Sequence, residues 1–285
     1  MAQPQKKISS RRFWFWISAA AFTLLTVIYQ RLTGPTNPYR GIYVIENATH
    51  HYKLGRSPEC GFPYEIIFPG SDVDQAELFW REYPTERPWK SVPMKKYDAN
   101  FQASIPSQPP AGKVEYYIQL KTKHSEIIQI PNEKNRIIAR FKNPVPVWAL
   151  LPHIVLMFTA MLLSNKLGIS VFLKEPLQNN LVWITFLCLF FGIGIFGPIV
   201  QKFAFGQYWT GWPIGTDLTD NKSLAVLLIW IFPVWRVWRK RDVRTSLKIA
   251  SISTLIIFLI PHSLLGSEYD YSRSNITNES FLPNN

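Results

Sequence analysis

The sequence predicts a membrane α-helical bundle of five transmembrane helices carrying an all-β sandwich inserted between the first two. Three observations lead there: charge-free apolar runs long enough to cross a bilayer, lysines and arginines gathered in particular connections, and period-two alternation across residues 36–143.

The 285 residues are 47% hydrophobic and 15% aromatic with only 18% charged, a balance tilted toward membrane. Charge is absent from Phe13–Tyr29, Val145–Ser164, Leu181–Gln201, Ser223–Trp235 and Ile249–Ser267. A bilayer core takes about 20 apolar helical residues, with about 17 to 25 tolerated. The run Ser223–Trp235 is short, and it spans only if Arg236 snorkels toward the headgroups and Trp235 and Trp238 sit in the interfacial belt. The predicted spans are 13–30, 145–164, 181–201, 223–238 and 249–267, with four spans as the alternative.

Cytoplasmic loops hold the excess of Lys and Arg. The leader 1–12 carries Lys6, Lys7, Arg11 and Arg12, and the segment after the fourth span carries Arg236, Arg239, Lys240, Arg241, Arg244 and Lys248. Placing both inside puts 31–143 outside, 165–180 inside, and the loop 202–222 and tail 268–285 outside. The expected location is a cell inner membrane, N-terminus cytoplasmic and C-terminus extracytoplasmic. The formal charge of +12 then reports topology and contact with membrane lipids, and implies no nucleic-acid partner. A basic leader before an apolar core also suits a cleaved signal peptide, but Gln30-Arg31-Leu32 offers no small-residue cleavage pattern, and a retained anchor is the reading preferred.

Between the first two spans, Val114, Tyr116, Ile118 and Leu120 fall on one strand face and Glu115, Tyr117, Gln119 and Lys121 on the other. Phe101, Ala103 and Ile105 alternate in the same way, and Ser107–Gly112 supplies a turn. Shorter strands are expected at Ile42–Glu46, Tyr64–Phe68, Glu77–Tyr83, Glu126–Ile130 and Arg136–Phe141. Short strands at this spacing form a sandwich. The segment from Trp80-Arg81 through Trp89, Met94, Phe101–Pro106 and Val114–Ile118 resembles immunoglobulin-like or fibronectin type III-like domains of bacterial surface proteins, without their inter-sheet cysteine pair. The resemblance implies a fold and no activity. With its Trp209-Thr210-Gly211-Trp212-Pro213 loop, the whole chain is similar to uncharacterised bacterial inner-membrane proteins with a periplasmic sandwich, which adds to architecture only.

Candidate chemistry starts with histidine, since polar groups within a membrane are costly and tend to be functional. His153 and His262 each follow a proline within an apolar run, in Leu150-Leu151-Pro152-His153 and Leu259-Ile260-Pro261-His262. At about 1.5 Å of rise per residue, His153 lies roughly 12 Å from the outer end of its span and His262 roughly 20 Å from the inner end of its own. Two imidazoles at one depth suit a b-type haem. A buried structural or proton-handling pair, or unrelated interfacial positions, fit as well. His50-His51 point to opposite faces of a strand, and Cys60 and Cys188 are expected on different sides of the membrane boundary and unpaired.

The outer loop Phe205–Lys222 is rich in glycine and aromatics. Thr219 or Asp220 is expected to cap the following helix. Asp217 and Asp220 are also expected to join Glu268 and Asp270 in an outward oxygen-ligand site for calcium or magnesium, while Trp209, Trp212 and Lys222 make the loop a partner-binding surface. Gly192-Ile193-Gly194-Ile195-Phe196-Gly197 matches a dinucleotide fingerprint but sits inside an apolar span, where small residues serve helix packing. Asn47, Asn275 and Asn278 match glycosylation acceptors. With no nucleophile elbow, HExxH or phosphate loop in the sequence, the expected role is a non-enzymatic accessory or scaffold subunit that binds other membrane or periplasmic proteins. The alternative is an electron-transfer cytochrome with haem on His153 and His262.

Overall fold

The protein is described from a computed structural model covering residues 5–45, 48–70, 72–132, 135–261, 266 and 268–271, with side chains from residue 13 onward. His262 and the acceptors Asn47, Asn275 and Asn278 lie outside the described residues. The chain divides into a helical unit, 1–35 with 145–266, and a β unit, 36–144 with 267–285.

The described part of the β unit holds ten strands: β1 (Tyr39–Ile45), β2 (Ala48–Leu54), β3 (Tyr64–Pro69), β4 (Val73–Tyr83), β5 (Lys90–Pro93), β6 (Lys95–Tyr97), β7 (Asn100–Ile105), β8 (Lys113–Thr122), β9 (Ile127–Ile130) and β10 (Ile137–Arg140). They form a β1-β2 hairpin, a three-stranded sheet β3-β7-β6, and a five-stranded sheet ordered β10-β8-β4-β5 with β9 also on β8. All pairings are antiparallel. The register sets Leu78 against Ile118 and Trp80 against Tyr116, so like faces meet. These four side chains, with Tyr43, Leu54, Ile66, Phe68, Phe101 and Ile137, belong to one buried cluster drawn from all three sheets.

The polar face expected on β8 is itself covered. Tyr117, 9% exposed, stacks on Phe79 at 4.9 Å and meets Trp89 edge-on at the same distance. Glu115, 7% exposed, accepts from Arg81 Nε at 2.5 Å, and the Arg81 guanidinium lies 4.6 Å from the Trp89 ring. Alternation therefore holds while the second face is closed by its own aromatic and cationic side chains, which cation–π attraction favours.

In the helical unit, α1 runs Gln5–Thr33, α2 Val147–Phe172, α3 Asn179–Phe191, α4 Gly197–Phe205, α5 Leu218–Trp238 and α6 Arg244–Leu259, with a π-helical turn Gly192–Phe196 joining α3 to α4. Three stretches are long and apolar enough to cross a membrane: Phe13–Thr33, Val147–Phe172 and Asn179–Phe205. Helix α2 continues past Ser164 through Asn165 and Lys166, whose polar ends find partners: Asn165 Nδ2 donates to Thr23 Oγ1 at 3.0 Å, and Lys166 Nζ lies 5.6 Å from the Trp16 ring. Helix α6 starts earlier than its apolar run and stops at Leu259. Pro261 disfavours helical backbone at the residue before it, and Ile260 is extended, with ψ of 120°.

Pro198 explains the π turn: it has no N–H to return to Gly194, so the ladder widens and Gly197 N–H reaches Gly192 O instead. Trp230, fully buried, anchors α5 on α6 by donating from its indole to Thr254 Oγ1 at 2.8 Å. Lys222, near the start of α5, donates from Nζ to the carbonyls of Ile260 at 2.7 Å and Pro261 at 3.3 Å, satisfying acceptors that the end of α6 leaves open. Helices α5 and α6 thus lie side by side, with the start of one level with the end of the other.

Candidate functional site

A hydrogen-bonded polar cluster occupies the connection from α4 to α5 in the helical unit. Helix α4 ends at Gly206, whose φ of 85° is the left-handed turn that glycine adopts without strain. Helix α5 begins at Asp217, whose Oδ1 accepts from Thr219 N at 2.7 Å and Asp220 N at 3.4 Å. The cap is therefore Asp217 and not Thr219 or Asp220. Asp220 faces back into the loop because its own helical position turns it there.

Thr210 is the hub. Its N–H donates to Asp220 Oδ2 at 2.6 Å, and its carbonyl accepts from Asp217 N at 3.0 Å. Its hydroxyl lies 3.1 Å from Asp220 Oδ2 and 3.2 Å from Asp217 Oδ2, so one proton faces two carboxylates. Gln201 Nε2 reaches both Thr210 Oγ1 at 2.7 Å and Asp220 Oδ2 at 3.0 Å. Asn221 Oδ1 accepts from Trp212 N at 2.6 Å, and Ile214 N and Gly215 N both return to Gly211 O. Gly215 has no room for a side chain, as a Cβ there would stand 2.4 Å from Thr210 O.

Asp217 and Asp220 are 7% and 6% exposed and occupied by these donors. Charge-assisted bonds of this kind fix a backbone. The large side chains that the loop leaves outside are apolar, Tyr208 being 60% exposed, Trp212 69% and Ile214 78%, with Gln207 and Thr216 the exposed polar residues between the helices. Trp209 is half-buried and donates from its indole to Trp212 O at 3.1 Å. Lys222, expected at a partner surface, is 9% exposed and turned onto α6.

The acidic residues of the expected cation site divide between the units. Asp217 and Asp220 belong to the helical unit, Glu268 and Asp270 to the β unit. Among the described residues no group of three or more His, Cys, Asp or Glu side chains is placed to hold a metal ion. Glu268 instead pairs with Lys113, Oε1 to Nζ at 2.6 Å. Beside it Tyr269 N donates to Ala111 O at 3.3 Å, Tyr271 OH to Lys113 O at 3.0 Å, and Arg87 Nη2 to Tyr271 O at 3.2 Å. Residues 268–271 are thus a strap across the start of β8. Burial, with the Glu82 charge adding to it, raises the Tyr271 phenol well above its ordinary value. Burial alone would raise the Glu82 carboxyl, but its bond to Lys90 at 2.7 Å and the charges of Lys90 and Arg87 outweigh it and hold the group below its ordinary value. The sequence carries one signal for the strap: Tyr269-Asp270-Tyr271, an aromatic pair in a largely polar tail.

His153 sits on α2 against the π turn, with Nδ1 3.0 Å from Gly192 O. A carbonyl only accepts, so Nδ1 carries the proton and Nε2 is the basic nitrogen. This is the backbone support by which a ligating imidazole is oriented. No protein-family model matches the chain, and no curated protein matches it.

Proposed function

We propose that this is a non-enzymatic membrane accessory or scaffold subunit in which five helices hold a sandwich-like β unit on the extracytoplasmic side of a cell inner membrane, where it binds a protein partner. The topology is supported by parity. Residues 268–271 are bonded into the β unit, so they share its side of any bilayer, and the chain from 144 to 268 must cross an even number of times. Helix α2 and the stretch α3–α4 account for two crossings; α5 and α6 then cross together or not at all. If they did not cross, Arg239, Lys240 and Arg241 between them would face the β unit's side, opposite the basic leader. Crossing places both basic segments on one side, as the positive-inside rule requires. The matched ends of α5 and α6 fit the same reading.

The observation that carries partner binding is the β1-β2 hairpin. Ile42 and Val44 are 60% and 54% exposed on the outward face of β1, and among the described residues β1 pairs only with β2. An unpaired strand edge beside exposed apolar side chains is a common recognition surface. The test is purification of the full chain from its native membranes in mild detergent. A partner in fixed proportion, lost on Ile42→Ser with Val44→Ser, supports the reading; recovery of the chain alone opposes it.

A second reading is electron transfer through haem b, favoured by the supported Nε2 of His153. It requires a reduced-minus-oxidised Soret and α band that His153→Ala abolishes, and colourless protein removes it.

A further inference from the structure

We propose that the loop between α4 and α5 is a bilayer anchor: Tyr208, Trp212 and Ile214 enter the headgroup–acyl boundary of the phospholipid leaflet into which α4 opens. The inference does not depend on partner binding by the β unit. It rests on four observations within the helical unit. The apolar stretch Asn179–Phe205 has 27 residues, about 40 Å at about 1.5 Å per residue against a hydrocarbon core of about 30 Å. Its end therefore reaches the headgroup layer, and the loop begins there. Exposed apolar side chains recur along this path, at Phe190, Phe191, Ile195, Phe203 and Tyr208.

Charge gives the third observation. Between Phe203 and Thr216 the chain has no charged residue, and the carboxylates that follow are turned inward. The nearest exposed charge is Lys202, whose Nζ donates to Gly206 O at 2.7 Å and lies 5.4 Å from the Tyr208 ring. A cation beside a phenol, with an exposed indole in the same loop, is the composition of an interfacial belt. Backbone satisfaction gives the fourth. Over the part of the loop that carries Trp212 and Ile214, the N–H groups of Thr210, Trp212, Ile214, Gly215 and Asp217 have acceptors within the α4–α5 region, while those of Gln207 and Tyr208, nearer the end of α4, are left to headgroup water. Irregular backbone tolerates a water-poor layer only when its polar groups are met internally. A loop built to dock in water has no such requirement.

The test uses the full chain with Cys60→Ser and Cys188→Ser, reconstituted in phosphatidylcholine–phosphatidylglycerol vesicles, with a nitroxide label at Ile214→Cys and, separately, at Tyr208→Cys. Both positions are exposed, so labelling does not disturb the core. Collision of each label with oxygen should exceed collision with a water-soluble nickel complex, the reverse of a label at Glu86→Cys in the β unit. High collision with the nickel complex at 214 would place the loop in water and overturn the proposal. Low collision with both reagents would mean that protein covers the triad, either a second copy or a co-purified partner, and would overturn it equally.

Discussion

Asp220→Ala should free the α4–α5 loop while leaving its neighbouring helices in place. The carboxylate is the acceptor for Thr210 N–H at 2.6 Å and for Gln201 Nε2 at 3.0 Å. Alanine leaves two part-buried donors without it, one of which keeps Thr210 Oγ1; against about 1–3 kcal/mol for each fully buried group left unmet, the loop loses about 1–2 kcal/mol. At about 1.4 kcal/mol per tenfold change in an equilibrium, local opening rises about five- to thirtyfold. Hydrogen–deuterium exchange read over residues 208–217 in detergent reports it, because these amides open with the loop and not with the whole bundle. Asp220→Asn keeps a carbonyl acceptor and loses only the charge, so its effect should be several-fold smaller. Tyr208→Ala, which removes an outward side chain, should leave exchange unchanged. Unchanged exchange in Asp220→Ala would refute the view that Thr210 and the two carboxylates hold the loop.

Four further outcomes follow from the same geometry. Gly215→Ala puts a Cβ 2.4 Å from Thr210 O, and should raise exchange in the loop as Asp220→Ala does without removing a carboxylate. Trp230→Ala empties a fully buried site and breaks the bond to Thr254, at a cost of about 3–5 kcal/mol, seen as a lower midpoint for thermal unfolding in detergent. Glu82 is held below its ordinary value of 4.5 in the folded chain. Its stabilising contribution is full above about pH 4.5 and is lost as the pH falls through the depressed folded value, so Glu82→Gln should flatten the acid limb of β-unit unfolding followed by near-ultraviolet circular dichroism. Tyr43 runs the other way: burial, with the Asp72 charge adding to it, pushes its phenol from 10.0 up to about 12. The neutral phenol stabilises the fold fully below pH 10, and that contribution fades between 10 and about 12, a window in which Tyr43→Phe should resist alkaline unfolding better than the parent.

The sequence was most legible where one face of an element decides its conformation. Strands β3, β7, β8 and β9 follow from alternation because their inward residues enter a single core. Strands β5 and β6 escape it: they are short and largely exposed, their lysines, single proline and tyrosine supplying no buried face that period two could register. Helix existence is likewise read from apolar runs, but helix ends are not, because they are set by particular hydrogen bonds. Helix α2 goes on through Asn165 and Lys166 because Thr23 and Trp16 meet them, and α6 stops short because Pro261 constrains Ile260. In the loop Phe205–Lys222 the structure leaves Trp212 exposed, makes Asp217 the cap in place of Thr219 or Asp220, and turns Lys222 onto α6 and not outward. The last two depend on where a side chain turns after the backbone is fixed. The strap at 268–271 is marked locally by the aromatic pair Tyr269 and Tyr271, but its partner Lys113 lies 155 residues away and no local pattern names it.

Topology is the premise on which the proposed function stands, and single-cysteine labelling tests it most directly. With Cys60→Ser and Cys188→Ser as background, Glu86→Cys in the β unit and Lys240→Cys between α5 and α6 are each exposed positions. In intact spheroplasts a membrane-impermeant maleimide should label Glu86→Cys and reach Lys240→Cys only after the membrane is permeabilised. Labelling of both from outside would place α5 and α6 on one side of the bilayer, reduce the crossings to three, and contradict the five-helix arrangement.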